Sequence, residues 1–151
     1  MIATLLLLTL ALRVTGLPTI HGPVANSLGA VPYRIIMSRN AKIVVLPFHT
    51  VKNVEVFMND GHGFEFSQSI PNTLGAFDSG MTDDGTFIYL HLFYHKKILI
   101  VKRVDSGYEF FQNISNSAYI SSVHPSFDGE YLSVGDQSGA IRIFRLTDQY
   151  A

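Results

Sequence analysis

The sequence predicts an all-β fold assembled from stacked units of about 44 residues. Three observations support this: a segment recurs at a fixed spacing, turn signals recur at the same spacing, and short apolar runs lie between them. The segment that begins at Gly63, GFEFSQSIPN, returns from Gly107 as GYEFFQNISN, with six of ten positions identical. A fixed period of this length is typical of repeat proteins, whose units bury their apolar faces against neighbouring units.

Each unit contains a turn rich in Asn, Asp and Gly, residues that tolerate a tight or left-handed backbone. The first turn contains Asn40-Ala41, and the same shift leads to the second and third turns. Because the signal recurs in all three units, we interpret it as a structural turn and not as a calcium loop. The turn residues of the second and third units are Asp84, Gly85, Asp128 and Gly129.

Each unit is predicted to contain short strands, because its apolar runs are rich in β-branched and aromatic residues and too short for helices. The third strand alternates apolar and charged residues at 54–57 and 141–144, which predicts half-buried strands. Its middle copy, 98–101, is apolar throughout, which predicts cover on both faces. The predicted strands are 33–37, 43–46, 54–57 and 64–66 in the first unit, 77–81, 87–90, 98–101 and 108–110 in the second, and 119–123, 131–134 and 141–144 in the third.

Four short antiparallel strands in about 44 residues correspond to one blade of a β-propeller. We predict blade 1 at 26–72, blade 2 at 73–116 and blade 3 at 117–151, the last without its fourth strand. Residues 1–25 are predicted to be either a partial blade or a signal peptide. A closed propeller has roughly four to eight blades, so the predicted ring is incomplete.

The last unit resembles a blade of the WD-repeat family. Its residues 122–144, SVHPSFDGEYLSVGDQSGAIRIF, match in the Pro-x-x-Asp-Gly turn, the small-residue second strand and the turn from Asp136 to Gly139. It departs from the family at Phe144-Arg145, where the Trp-Asp pair would stand, and in lacking the upstream Gly-His pair. The resemblance covers about residues 30–146. It implies a binding platform, because members of the family rarely catalyse reactions. It also implies that Asp136 tightens its turn through hydrogen bonds.

The composition excludes several classes of function. The chain has no cysteine, which excludes disulfides, thiolate metal sites and cysteine catalysis. Its net charge of -1 gives no electrostatic case for binding nucleic acid. Charged residues make up 15% of the chain, a low share, which fits apolar faces that other blades cover. We therefore expect a homo-oligomer, or a chain that is completed by the remainder of a larger propeller.

The N-terminal segment leaves the cellular location open. The apolar run from Ile2 to Val14, about 13 residues long, is too short for a membrane span but fits the apolar part of a secretory signal. Against that, no Lys or Arg precedes it. The absence of cysteine favours a reducing compartment, so a cytoplasmic location is preferred over secretion. The glycosylation sequon Asn113-Ile114-Ser115 matters only for a secreted chain.

No residue pattern predicts catalysis, a metal or a cofactor. His91 and His95 have the spacing of a zinc-binding helix, but they follow a predicted strand and lack the glutamate of metalloprotease motifs. We therefore interpret both as loop histidines. No serine lies in a nucleophile elbow.

The predicted function is a non-catalytic scaffold for protein–protein interaction that binds proteins or peptides, with no nucleic acid and no membrane insertion. Two alternatives stay open: a secreted propeller with a hydrolase or carbohydrate-binding role, and a truncated fragment of a larger propeller protein. Partner binding is predicted in loops that occupy equivalent places in the three units. The candidate residues are His49, Lys52, Tyr94, His95, Lys96 and Gln137.

Overall fold

A computed structural model describes residues 31–146 as three antiparallel sheets. The partial blade or signal peptide predicted for residues 1–25 lies outside the described residues. The first sheet contains β1 (Ile36–Met37), β2 (Ile43–Leu46), β3 (Asn53–Asn59) and β4 (Phe64–Pro71). The second contains β5 (Ala76–Met81), β6 (Phe87–Leu92), β7 (Lys97–Val104) and β8 (Gly107–Ser115), and the third contains β9 (Ile120–Pro125), β10 (Tyr131–Asp136) and β11 (Ile141–Arg145).

Neighbouring strands in each sheet are also neighbours along the chain, so hairpins make all the connections within a sheet. The register repeats with the sequence period: Val45 in β2 lies opposite Val56, and Tyr89 in β6 lies opposite Ile100. The first two sheets even share a β-bulge, which follows Val56 in β3 and Ile100 in β7. The fold is therefore all-β, with blade-like sheets that form part of a propeller ring.

Two apolar clusters hold the three sheets together. The first cluster joins the first sheet to the second and includes Val54, Val56 and Leu90. The second joins the second sheet to the third through Ile98, Ile100 and Leu132. The middle sheet is therefore covered on both faces, as the apolar sequence of β7 indicates. Burial of apolar area of this kind contributes about 25 cal/mol per Å² to stability.

One strand is more deeply buried than its sequence predicts. The alternation of apolar and charged residues predicts that β3 is half-buried, and this prediction is wrong. Val54 and Val56 face the second sheet, while Phe57 packs on the opposite face with Leu46 and Phe48. Because both faces are covered, Glu55 is also fully buried.

The last strand is half-buried, as its alternating sequence predicts, but the two isoleucines lie on its exposed face. In β11, Ile141 and Ile143 are 79% and 70% exposed, whereas Phe144 packs against the second cluster. Within the described residues, β11 is an edge strand, because the third sheet contains three strands. An exposed edge with apolar side chains is a surface on which a further strand or sheet can pair.

The turns between the first and second strands share one pattern of hydrogen bonds. In the second sheet, the hydroxyl of Thr82 donates to Asp84 (2.8 Å) and accepts from the backbone N–H of Phe87 (3.0 Å). Ser38 with Asn40, and Ser126 with Asp128, repeat this pattern in the other two sheets.

The residue after the acceptor adopts a left-handed backbone in all three turns. Gly85 and Gly129 have φ of 74° and 75°, the region that favours glycine, and Ala41 occupies the same position with φ of 52°. The turn motif predicted from Asn, Asp and Gly is therefore made by a repeated set of local hydrogen bonds.

Antiparallel pairing sorts the connections into two ends. The turn end contains the connections between first and second strands and between third and fourth strands. The loop end contains the connections between second and third strands and those between sheets. By these bounds the loop end consists of Tyr33 and residues 47–52, 72–75, 93–96, 116–119 and 137–140.

Side chains also link neighbouring sheets near the inner and the outer strands. Near the inner strands, Asp78 forms an ion pair with Arg34 and accepts a hydrogen bond from the backbone N–H of Val123 (3.1 Å). Near the outer strands, the amide of Gln68 donates to the carbonyl of Tyr108 (2.8 Å) and accepts from its N–H (2.6 Å). In the part of the chain that the structure describes, no helix has the length and apolarity needed to cross a membrane.

Candidate functional site

A continuous row of aromatic and histidine rings crosses the loop end, and we call it the ring ridge. The first sheet contributes two rings, the second contributes three, and the segment before β9 contributes one. Each ring contacts at least one other, so the ridge passes from sheet to sheet without a break. Its members are Tyr33, His49, Phe77, Phe93, Tyr94 and Tyr119.

The ring centres lie at distances typical of attractive aromatic contacts. The ring of Phe77 lies 4.7 Å from Tyr33, 4.2 Å from His49 and 5.1 Å from Phe93. Phe93 in turn stacks on Tyr119 at 4.9 Å. Phe77 and Phe93 therefore connect the first sheet to the third.

A hydrogen bond and a close backbone contact fix the exposed Tyr94. Its hydroxyl lies 2.7 Å from Nε2 of His49, which belongs to the neighbouring sheet. The ring packs directly against Gly75, where an added Cβ would lie 2.5 Å from Cδ2 of Tyr94. Gly75 also has φ of 76°, so glycine suits this position for both steric and backbone reasons.

A lysine stands at the third-sheet end of the ridge. The chain forms a short 3₁₀ turn, Phe93–His95, and Lys96 then adopts a left-handed backbone with φ of 50°. Its Nζ lies 4.6 Å from the centre of the Tyr119 ring and donates to the carbonyl of Ser117 at 3.2 Å. A cation over an aromatic face stabilises both side chains.

A buried histidine lies under the ridge. His91 is in β6, with its ring 6.4 Å from Phe77 and 6.0 Å from Phe93. The prediction that His91 is a loop histidine is therefore wrong, because the strand extends to Leu92. Neither ring nitrogen has a hydrogen-bond partner among the described residues, and burial lowers the pKa of His91 to about 4. The ring is therefore neutral at physiological pH.

The candidate binding residues from the sequence all lie at or beside the loop end. His49 and Tyr94 belong to the ridge, and Lys96 contacts it. The other candidates are exposed beside the ridge and take no part in the ring contacts: Lys52, His95 and Gln137.

Four rings of the ridge are absent from the candidate residues that the sequence provides: Tyr33, Phe77, Phe93 and Tyr119. Phe93 lies beside the candidate Tyr94, and the other three belong to predicted first strands, where an aromatic residue is expected to pack in the core. One signal was available, because each unit has an aromatic residue at the start of that predicted strand.

Asp136 lies at the loop end of the third sheet and accepts several hydrogen bonds. Its Oδ1 accepts from the backbone N–H of Ser138 (2.9 Å) and of Ala140 (3.2 Å). Its Oδ2 accepts from Asn116 (3.2 Å) and forms an ion pair with Arg142. Donors from Ser138, Arg142 and Asn116 hold the pKa of Asp136 far below its ordinary value.

Two turn-end aspartates also have lowered pKa values. A hydrogen bond from Thr86 is the main cause that lowers the pKa of Asp84, and one from Ser126 lowers the pKa of Asp128. Both carboxylates therefore stay ionised in their turns. Among residues 31–146, no group of three or more His, Asp or Glu side chains is placed to hold a metal ion.

The loop end is basic in comparison with the turn end. The described ranges of the loop end contain no acid, and Asp136, at the adjoining end of β10, is already paired with Arg142. Lys52, Lys96 and, one residue beyond, Lys97 lie there without an acidic partner among the described residues. The acids of the turn end include Asp60, Asp83, Asp84, Asp105, Asp128 and Glu130.

The sequence matches no known family profile, and no curated protein matches it either. Solved structures, in contrast, share the fold. Sqt1 from Saccharomyces cerevisiae has a TM-score of 0.66 at 11% identity, over 78% of this chain and 32% of that one. The Cps50 (Swd1) β-propeller domain from Myceliophteria thermophila has a TM-score of 0.66 at 8% identity, over 78% and 38%.

A propeller enzyme is similar as well. The periplasmic gluconolactonase PpgL from Pseudomonas aeruginosa has a TM-score of 0.56 at 15% identity, over 78% of this chain and 41% of that one. The chain thus spans about a third to two fifths of these proteins' lengths. At such low identity the likeness shows the fold alone. The chain has the fold of part of a β-propeller, and the resemblance to WD-repeat-like propellers is confirmed at that level.

Proposed function

We propose that this chain is a non-catalytic propeller module that binds protein segments at its loop end. The observation that carries the proposal is the ring ridge, which continues across all three sheets. Aromatic residues are enriched at the centres of protein interfaces, where a few of them supply most of the binding energy. The exposed rings of Tyr33, Tyr94 and Tyr119 are the part of the ridge that a partner can reach.

The packing of the ridge supports a binding role for a second reason. An interface loses affinity when flexible side chains must be ordered as the partner arrives. Here the Tyr94 ring is already held by His49 and Gly75, and the Tyr119 ring by Phe93 and Lys96. These rings are ordered before binding, so their ordering does not weaken the complex.

Proteins with this fold include both WD-repeat propellers and a gluconolactonase, so the fold does not decide between binding and catalysis. The ridge favours binding because its histidine, His49, is engaged with the Tyr94 hydroxyl. General acid–base catalysis needs a titratable group that is free to reach a substrate proton, and the hydroxyl of Tyr94 occupies Nε2 of His49.

The test compares the two ends of the sheets. We expect Tyr94→Ser and Tyr119→Ser to remove the same set of proteins from a quantitative cross-linking pull-down with the full chain. The matched control is Phe127→Ser, because Phe127 is 80% exposed but lies at the turn end. Equal losses in the control and the ridge variants would contradict the proposal.

A second assay addresses the hydrolase alternative. Purified chain is incubated with glucono-δ-lactone, and acid release is followed against the spontaneous rate. We expect no acceleration. Turnover that falls in the ridge variants would replace the binding proposal with a catalytic one.

We also propose that a second copy of the chain, or further blades of a larger propeller, covers the exposed edge at β11. Ile141 and Ile143 are exposed there on the face away from the second sheet. Sedimentation velocity should show association of the native chain that decreases in the Ile141→Lys, Ile143→Lys double variant. A native chain that stays monomeric at all concentrations would contradict self-association.

A further inference from the structure

A groove separates the outer strands of the first and second sheets, beside the ring ridge but not part of it. It has a volume of about 490 Å³, a size typical of pockets that hold small ligands or side chains. Its walls come from β4 on one side and from β7 and β8 on the other. Both Gln68 and Tyr108 line it, and their paired hydrogen bonds bridge its two walls.

The floor of the groove is apolar. Ile70, Leu92, Leu99 and Val101 line it, and all four belong to the cluster that joins the first two sheets or pack against it. One wall carries the ring of Phe110, which is 64% exposed. An exposed phenyl ring above an apolar floor offers a favourable site for an apolar side chain.

Lys97 and His95 line the loop-end mouth of the groove. Among the described residues, no acidic side chain lines the groove, and Lys97 forms no ion pair. A lysine at the mouth without its own counter-charge attracts negatively charged groups.

We propose that this groove binds an extended peptide segment in which one or two apolar side chains are flanked by Asp or Glu. The apolar side chains would lie on Ile70 and Leu99 and against Phe110. An acidic side chain would meet Lys97 at the mouth. Single-stranded nucleic acid fits less well, because it needs several open ring faces along a basic track, and this groove has one exposed ring and one lysine at its mouth.

The test uses a random-peptide library displayed on phage and selected against the immobilised full chain. Enriched peptides are then synthesised with a fluorescein label, and their affinities are measured by fluorescence anisotropy. We expect the enriched sequences to place Asp or Glu next to Leu, Ile, Met or Phe. Raised salt should weaken their binding, because it screens the contact with Lys97.

Matched variants locate the binding. Phe110→Ser should weaken binding about tenfold, as expected for loss of an interface aromatic. Lys97→Asn introduces the residue found at the equivalent position, Asn53, and should weaken binding about fivefold and reduce its salt dependence. Phe66→Ser and Lys42→Asn should bind as the native chain does. Phe66 is the repeat equivalent of Phe110 but does not line the groove, and Lys42 lies at the turn end.

Several outcomes would overturn the proposal. These are a selection that enriches nothing, enriched peptides without an excess of acid, and binding that survives both Phe110→Ser and Lys97→Asn. Displacement of the peptides by a labelled oligothymidylate at lower concentration would assign the groove to nucleic acid.

Circular dichroism checks the fold of each variant. If Phe110→Ser does not fold, Lys97→Asn and the salt series still test the proposal. Ridge variants affect this assay only if the peptide also contacts the ridge, so the two proposals can fail separately.

Discussion

The turn end and the loop end of the sheets follow opposite rules, although both are built from the same repeat. At the turn end, equivalent residues make equivalent hydrogen bonds. The hydroxyl of Thr82 donates to Asp84 in the second sheet, and the hydroxyl of Ser126 donates to Asp128 in the third. At the loop end, His49, Phe93 and Gln137 occupy equivalent positions but differ in chemistry, and only the first two belong to the ring ridge. The turn end therefore repeats the hydrogen bonds that satisfy the backbone, whereas the loop end varies in the side chains that it presents to a partner.

Acidification should destabilise the fold through His91, the buried histidine under the ring ridge. Burial lowers the pKa of His91 to about 4, whereas an unfolded histidine has 6.5. The unfolded chain therefore binds a proton between these values that the folded chain does not. The contribution of neutral His91 to the free energy of unfolding is therefore complete above pH 6.5. The free energy of unfolding should fall by about 3 kcal/mol as the pH approaches 4.

Urea unfolding at several pH values measures this effect, and His91→Leu serves as the control. The variant should lose most of the slope between pH 6.5 and 4, since Leu fits an apolar site and does not titrate. The lowered pKa values of Asp84 and Asp128 act below this window. An identical slope in both proteins would rule out His91 as the cause.

Replacement of a turn-end glycine should lower the free energy of unfolding by somewhat less than acidification does. At Gly85, with φ of 74°, an added Cβ would overlap Cδ1 of the buried Ile43. We expect Gly85→Ala to lower the free energy of unfolding by about 2 kcal/mol through overpacking and backbone strain. Gly139→Ala is the matched control, because Gly139 has φ of 83° but open space around its Cα; strain alone should cost about 1 kcal/mol. Equal losses would show that the contact with Ile43 is unimportant.

The repeated turn hydroxyls provide a finer test, since the same hydrogen bonds occur at different depths. Thr82 is buried, and Ser126 is half-buried. Thr82→Val leaves the N–H of Phe87 without its hydroxyl acceptor and should lower the free energy of unfolding by about 1.5 kcal/mol. In Ser126→Ala, water can replace the lost hydroxyl, so the free energy of unfolding should fall by only about 0.5 kcal/mol. Chemical denaturation of the two variants side by side checks the order. A larger loss for Ser126→Ala would mean that burial does not set the cost.

The smallest expected effect is an increase in the free energy of unfolding. Ala41 holds the left-handed position that glycine occupies in the other two turns, with φ of 52°. Ala41→Gly removes that strain but adds freedom to the unfolded chain, so the net stabilisation should be about 0.5 kcal/mol. A small rise in the urea midpoint is the expected result. A fall would show that the local turn geometry tolerates alanine without strain.

The sequence predicts most of the fold because the signals are local. Asn, Asp and Gly at a fixed spacing mark the turns, and short apolar runs mark the strands between them. What it does not predict depends on contacts between sheets. The burial of Glu55 requires a second cluster on the far face of β3, and the extension of β6 through His91 requires pairing with β7.

The ring ridge illustrates the same limit for the site. Loop position alone identifies His49, Tyr94 and Lys96 as candidates. It does not identify Phe77 or Tyr119, because an aromatic residue beside a strand is more often part of the core. Only the packing of three sheets brings these rings together, and no spacing within one unit records it.

Two contacts, one near the inner strands and one near the outer strands, fix the angle between neighbouring sheets. Asp78 ties the sheets near the inner strands, which converge, and Gln68 ties the first two near their outer strands. Two such ties define a wedge angle, and the wedge angle decides how many sheets complete a circle. Gln112 repeats the position of Gln68 in the second sheet. The length of the Gln68 side chain therefore sets part of the spacing between the outer strands of the first two sheets.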